Sequence, residues 1–384
     1  MVTKPVKDIS RVNAPHLPLE LVLAVVEFAC SQGTDEENTS LLSACSTVCR
    51  AWSPSMQKLL FSRVILRSQP SFQLFINAID RTTTHGQMLA DSVKWMRVVL
   101  DHNQPLSLHH HSFALAVSAC SNLEELHIAS YGCPEPGKDV VGVPDVSRLR
   151  RLAPSFDDQA ISLLKSGPQI KSLHFKNWSE NQETVFQLLE VWPSLEHLSL
   201  GGTTPRLSQE TRLPFPCSLH SLSLNFQSTP SVEFLRWLLH NSAASLRRVR
   251  CERDLSRQAF EYLMEDFGSQ LDSLRMPGSI SPEFVKMVSS CRHLRQLYTE
   301  NPAIPCANGV PKELEHLAFG LDYDTPLHSI IDLVRKSETL KTINAMVWEG
   351  GHKHRFLSPL KMACAYRGVD LVLTTNLAAF RQCV

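Results

Sequence analysis

The sequence predicts an α/β chain in which a short helical N-terminal unit leads into a long array of strand–helix repeats built on a parallel sheet. Two observations carry the prediction. An apolar template with spacing i, i+3, i+5 recurs at intervals of roughly 20 to 32 residues, the period range of stacked repeat units. Helical runs of apolar residues fill most of the intervals. The clearest copy of the template is Leu195, Leu198 and Leu200. Others start at Leu123, Ile170, Leu219, Leu246, Leu271, Leu314 and Leu340, with degenerate copies at Phe61, Val93, Leu149 and Leu294.

The last two template positions are two residues apart and point to one face of a short strand, while the residues between them point to the other. One face is core and the other surface. A single such strand cannot bury its apolar side, so neighbours must stack edge to edge. Like-oriented strands need a crossover element of about a dozen residues, which the runs 72–79, 113–119, 160–165, 185–191, 232–239, 258–267, 284–289, 330–335 and 360–365 supply. Four dipeptides, Thr229-Pro230, Ser281-Pro282, Thr325-Pro326 and Ser358-Pro359, read as helix openers, the hydroxyl capping and the proline pre-setting the first φ. The last strand is expected at 369–373.

Residues 1–15 show no apolar periodicity and read as a flexible tail. Within 16–60, Pro18 suits a first helical position, and Leu17, Leu21, Val25 and Phe28 follow at helical spacing. Val22, Val26 and Ala29 add a second apolar stripe beside them. A polar break over 31–40 precedes a second run with Leu41, Cys45, Val48 and Trp52 on one stripe. Ser53-Pro54 opens a third helix to Leu60. The repeat array spans 61–376 and begins with no flexible linker, and 377–384 is a short tail.

The stretch Leu17-Pro18-x-Glu20-Leu21 followed by Val48-Cys49-Arg50-x-Trp52 resembles the F-box, and the template resembles the leucine-rich-repeat pattern L-x-x-L-x-L. Two departures stand out. The Asn or Cys expected a few residues after each last Leu is not regularly present, and the break between the first two helices is longer than the family's and lacks its Asp-Pro. The resemblance implies three helices docked on a Skp-type adaptor of a cullin-RING ubiquitin ligase through Leu17, Pro18, Leu21, Val25, Val48 and Trp52, with a leucine-rich-repeat-like solenoid holding a target protein. The alternative is a protein-binding scaffold or inhibitor with no ligase role, whose N-terminal helices only cap the array. The two differ in one respect: a cap leaves the far face of 17–52 polar, whereas an adaptor site leaves it apolar.

Composition excludes several classes. Lys plus Arg and Asp plus Glu are 38 each, so the formal net charge is zero and no whole-chain field draws the protein to nucleic acid or a membrane. The most apolar run, 21–30, is too short to span a bilayer, and no signal-peptide pattern opens the chain. Eleven cysteines without C-x-x-C pairing read as core thiols of a cytoplasmic or nuclear protein, Cys45 and Cys49 among them. No phosphate loop, nucleophile elbow or H-E-x-x-H is present, so no enzyme, cofactor or metal is expected. His109 to His111, His352 and His354 read as solvated.

Placed on the repeat, the outward strand positions are His127, Ser172, His174, Lys176, His197, Ser199, Ser221, Ser223, Asn225, Arg248, Arg250, Glu252, Ser273, Arg275, Gln296, Tyr298 and His316. Cations and hydroxyls outnumber anions there. Lys176, His197, Arg248, Arg250 and Arg275 are therefore the expected target-binding residues, a basic centre preferring an acidic or phosphorylated segment because guanidinium pairs bidentately with carboxylate and phosphate.

Overall fold

The computed structural model describes residues 18–32, 35–132, 153–179, 181–207, 213–277, 282–300, 311–377 and 380. Among these, twelve strands form one sheet whose spatial order is the sequence order. They are β1 (Arg63–Leu66), β2 (Trp95–Asp101), β3 (Glu125–Gly132), β4 (Ser172–Ser179), β5 (His197–Gly202), β6 (Ser221–Phe226), β7 (Arg248–Cys251), β8 (Ser273–Met276), β9 (Gln296–Thr299), β10 (His316–Leu321), β11 (Thr342–Val347) and β12 (Asp370–Thr374). Every pairing is parallel.

Register keeps the template in line. Leu126, Leu173, Leu198, Leu222, Val249, Leu274, Leu297, Leu317, Ile343 and Leu371 are successive partners across the sheet, and all but Leu371 are fully buried. Each buried leucine contributes about 2 kcal/mol of transfer free energy, and a one-residue slip would turn the whole row to the other face. The degenerate copy at Leu149 and Leu152 falls outside the described residues. β3 and β4 pair directly over their full length, from Glu125↔Ser172 to Gly132↔Ser179, so the sheet holds no strand between them.

Helices α4 (Gln69–Ala78), α5 (Thr84–Ser92), α6 (His110–Ser118), α7 (Asp158–Ser166), α8 (Glu183–Leu189), α9 (Val232–Leu239), α10 (Arg257–Phe267), α11 (Pro282–Ser289), α12 (Leu327–Lys336) and α13 (Leu357–Arg367) connect the strands and bury their apolar stripes in one continuous core running from Leu66 to Val369. The helix α5 escapes the periodicity reading because only Leu89 and Ala90 of its apolar residues are fully buried; Thr83, accepting from the Gly86 N–H, starts it.

At Thr229, Thr325 and Ser358 the Ser/Thr-Pro device is not what opens the helix. α9 is capped by Ser231, which accepts from Phe234 N, while Thr229 donates to the carbonyl of Asp254. Thr325 instead ties down the loop before α12 by donating to Asp322 Oδ1 and accepting from Asp322 N. Pro359 lies inside the first turn of α13, which has no side-chain cap, and Ser281 lies outside the described residues. The caps with side-chain bonds are Ser68, Thr83, Asp157, Ser231 and Ser256. Proline supplies the right φ, but the hydroxyl must sit one residue ahead of the first helical residue to reach the N2 or N3 N–H.

The N-terminal helices are α1 (Leu19–Gln32), α2 (Asp35–Ser46) and α3 (Ser53–Phe61). α2 starts inside the stretch expected to be a polar break, since carboxylates are favoured at a helix start. Asn38 Nδ2 donates to the Cys30 carbonyl across the α1–α2 junction at 2.8 Å. Val22, Val26, Leu42 and Met56 form a small core of their own, with Leu23, Cys45, Trp52 and Leu60 against it. The carbonyl of Ser62, just past α3, accepts from both Lys94 N and Trp95 N, so the helices join the sheet without slack.

Five cysteines, Cys120, Cys217, Cys251, Cys291 and Cys364, are buried thiols, and burial pushes Cys120 and Cys251 up to about 12. Cys49 departs from the core-thiol expectation: it is exposed. Gly202 closes β5 at φ 89°, where a Cβ would lie 2.1 Å from the Asn177 carbonyl oxygen. Only glycine fits that crossing of two backbones.

Candidate functional site

Two surfaces collect the residues singled out in the sequence. The first is the outer face of α1. Leu21, Val25 and Phe28 are 54%, 67% and 69% exposed, whereas Val22 and Val26 are 6% exposed and form the packing face. Of the second stripe, Val22 and Val26 turn inward, whereas Ala29 is exposed alongside the first. Val48, in the turn after α2, is also exposed. Pro18 starts α1, its carbonyl accepting from Leu21 N and Val22 N, and is itself exposed. Trp52 differs from the others: it is half-buried against the small core and holds the helices together. Leu17 lies outside the described residues.

The second surface is a trough of about 640 Å³ on the outward face of the sheet. Lys176, His197, Arg248, Arg250 and Arg275 all line it, so side chains spread over about 100 residues of sequence meet in one place. The sheet register explains both the meeting and the hollow. β5 and β6 present Ser199, Gly201, Ser221 and Ser223, which are small, and these are flanked by His174 and Lys176 on β4 and by Arg248 and Arg250 on β7. Small residues make the floor and long cationic ones the walls. Adjacent strands lie ~4.8 Å apart, so the two walls stand about 14 Å apart at the backbone.

The cations are not equivalent. Arg275 is 3% exposed, lies 4.0 Å over the ring of Tyr298 and reaches Glu252 with Nη2 at 3.7 Å. It is a structural cation that shapes one end of the trough. Burial first, and then the neighbouring Arg275, draw Arg250 below the ordinary arginine range. Arg248 and Lys176 are exposed and make no ion pair among the described residues.

At the other end lies a cluster that the sequence reading did not isolate. Glu125 and His127 are two apart on β3, and His174 is the β4 partner of His127. His127 Nε2 donates to Glu125 Oε1, which also accepts from Trp95 Nε1 at 3.2 Å and faces His174 Nε2 at 3.4 Å. These three are the one group among the described residues whose ligand atoms all lie within 4.8 Å. The two imidazoles, however, stack with planes 5° apart and centroids at 4.0 Å, so their ring nitrogens point side by side rather than toward a common point. The arrangement is that of a carboxylate accepting hydrogen bonds over a stacked pair. Hydrogen bonding to His127 holds Glu125 below its ordinary value, and burial, with His127 beside it, lowers His174 to about 4. Its sequence signal is Glu-x-His on one strand face with a histidine in register on the next, legible only once the pairing is known.

Two histidine readings change. His110 stacks on Phe156 at 4.3 Å and is lowered by burial to about 4; His354 is buried, its Nδ1 accepting from Phe356 N. Within the stretch expected as a short tail, Phe380 is 1% exposed and packs with Tyr298, Ala318 and Met346 on the outward face of β9–β11.

Among the described residues no helix is long and apolar enough to cross a membrane. No family model matches the chain, and no curated protein matches it.

Proposed function

We propose that this chain is the substrate-recognition subunit of a cullin-RING ubiquitin ligase, an F-box protein whose N-terminal helices bind a Skp-type adaptor and whose leucine-rich-repeat-like sheet binds a target through the basic trough. The observation that carries the reading is the division of α1. A helix serving only as a lid would turn one apolar stripe inward and leave the other face polar, whereas Leu21, Val25 and Phe28 form an exposed apolar row, and such rows mark protein contacts. The resemblance of Leu-Pro-x-Glu-Leu and Val-Cys-Arg-x-Trp to the F-box names the partner.

The mechanism is proximity. The α3–β1 junction has no slack, which supports a fixed distance between adaptor and target, and holding two reactants together raises their effective concentration. No residue of this chain need act on the bond being formed.

The test is a pull-down of the purified chain with a Skp-type adaptor, beside Leu21→Asp/Val25→Asp, a variant whose changes lie on the exposed row and leave Val22 and Val26 intact. The parent binds, and the variant, with an unchanged circular-dichroism melt, loses about 100-fold in affinity, the size expected of two contact-centre residues. A folded parent that ignores the adaptor would leave the helices as an end cap of the array.

A further inference from the structure

Past the ends of β10 and β11, two loops border a hollow separate from the trough. It measures about 370 Å³ and is lined by Tyr323, Asp324 and Pro326 from the loop before α12, by His328 at the start of α12, and by His354 and Arg355 from the loop after β11. Both loops are held in place. In the first, Thr325 Oγ1 donates to Asp322 Oδ1 and accepts from Asp322 N, and Asp324 N donates to the same carboxylate. In the second, Gly351 runs so close to β10 that a Cβ there would lie 2.4 Å from the Leu321 carbonyl oxygen.

The hollow collects hydrogen-bond donors that have no acceptor among the described residues. α12 starts on Pro326 without a side-chain cap, and the N–H groups of His328 and Ser329 are left over. Such groups at a helix start carry partial positive charge and favour an anion. A second, independent group points the same way. His354 is 7% exposed, and its Nδ1 accepts from Phe356 N at 3.1 Å, so the neutral ring carries its proton on Nε2. That N–H has no partner among the described residues, and the ring forms part of the wall of the hollow. A buried donor is costly to leave unpaired. Arg355 adds a full charge: it is exposed, its guanidinium lies 4.7 Å over the Phe356 ring, and it makes no ion pair among the described residues.

Asp324 decides which anion fits. Its exposed carboxylate stands on the same wall with no partner among the described residues. A carboxylate repels a bare anion but accepts a hydrogen bond from one that still carries a proton. Inorganic phosphate keeps an O–H at neutral pH and sulfate has none, while a phosphate monoester gives up its last acidic proton at about pH 6.

The geometry points to an inorganic phosphate site: the phosphate oxygens accept from His354 Nε2–H, the Arg355 guanidinium and the His328 N–H, and the phosphate O–H donates to Asp324. Charge-assisted bonds from the guanidinium supply strength, and Asp324 supplies selectivity for the protonated oxyanion. A phosphate held there bridges the start of α12 to the loop that precedes α13, tying the last two repeats together. No strand residue lines this hollow, and the site is independent of the ligase reading.

The test is equilibrium dialysis of the full chain against radiolabelled inorganic phosphate at about pH 8, where a monoester is a dianion without an acidic proton, with ionic strength held by sodium chloride. The chain takes up phosphate saturably, and sulfate and methyl phosphate each compete about tenfold less well than unlabelled phosphate, the factor expected of one hydrogen bond to a charged group. Asp324→Asn, which can donate as well as accept, removes that preference. Arg355→Ala, with an unchanged melt, weakens uptake about tenfold, whereas Arg67→Ala, at the other end of the sheet, leaves it at the parental level. Absence of saturable uptake overturns the proposal. So does equal competition by sulfate and phosphate in the parent, which would mean that Asp324 does not touch the anion, and so does uptake indifferent to Arg355→Ala, which would put the phosphate elsewhere. The adaptor pull-down reads a different surface, so either experiment can fail without the other.

Discussion

One face of one sheet behaves in two ways. From β3 to β8 the middle outward row reads His127, His174, Ser199, Ser223, Arg250 and Arg275, and it lines an open trough. From β9 the same row continues as Tyr298, Ala318 and Asn344, and Phe380 comes back from the C-terminal end to cover it. The backbone, the pairing and the register do not change at the boundary; the side chains do. A polar row is satisfied by water and stays available to a partner, while an apolar row gains by recruiting the nearest free stretch of chain. Arg275 is the seam, with its guanidinium plane on Tyr298 and its charge beside Glu252.

The largest way to break this contrast is to uncover the apolar half. Phe380→Ala removes a ring with 1% exposure, and large-to-small changes at such sites cost about 3 kcal/mol. Urea unfolding followed by circular dichroism reports it. Next in size is the seam. Arg275→Ala deletes a buried cation–π contact and leaves Glu252 beside an empty space, a loss of about 2 kcal/mol. Arg275→Lys recovers less than half of it, because an ammonium cannot lie flat on the Tyr298 ring.

What the sequence made legible follows from what repeats. The Leu-x-x-Leu-x-Leu spacing fixes strand, register and inward row together, so the parallel sheet could be read before any pairing was known, and the five basic positions landed in one trough because each was assigned to the outward row of its own repeat. Features that occur once were not legible. Phe380 lies in a stretch with no period, and its partners Tyr298, Ala318 and Met346 come from three strands. Glu125, His127 and His174 required knowing that β4 lies directly against β3, whereas the sequence had suggested a weak repeat between them. The helix caps failed for a local reason: Thr-Pro and Ser-Pro mark where a helix is near, but the capping atom is the one whose distance to the N3 N–H is right, and in α9 that is Ser231.

The smallest expected effect sharpens the contrast through pH. His174 titrates at about 4 in the folded chain against an ordinary value of 6.5, lowered first by burial and then by His127, with Lys176 and His197 adding to the effect and Glu125 opposing it. A depressed histidine means the unfolded chain takes up the proton first as pH falls, so stability present above pH 6.5 is lost progressively down to about pH 4. Glu125, itself held below its ordinary value, stays anionic through most of that window and limits the loss. On the covered half, Ala318, Met346 and Phe380 carry no titratable group. His174→Gln, which keeps a polar group in the stack but cannot charge, should therefore lose less stability than the parent between pH 7 and pH 4.5, a difference of about 2 °C in Tm. His110, lowered to about 4 by burial beside His102, titrates over the same range in both proteins and cancels from the comparison. Identical pH profiles for parent and variant would mean that the trough opens enough in solution to hydrate His174, and the open half of the face would then be more mobile than its pairing with β3 and β5 implies.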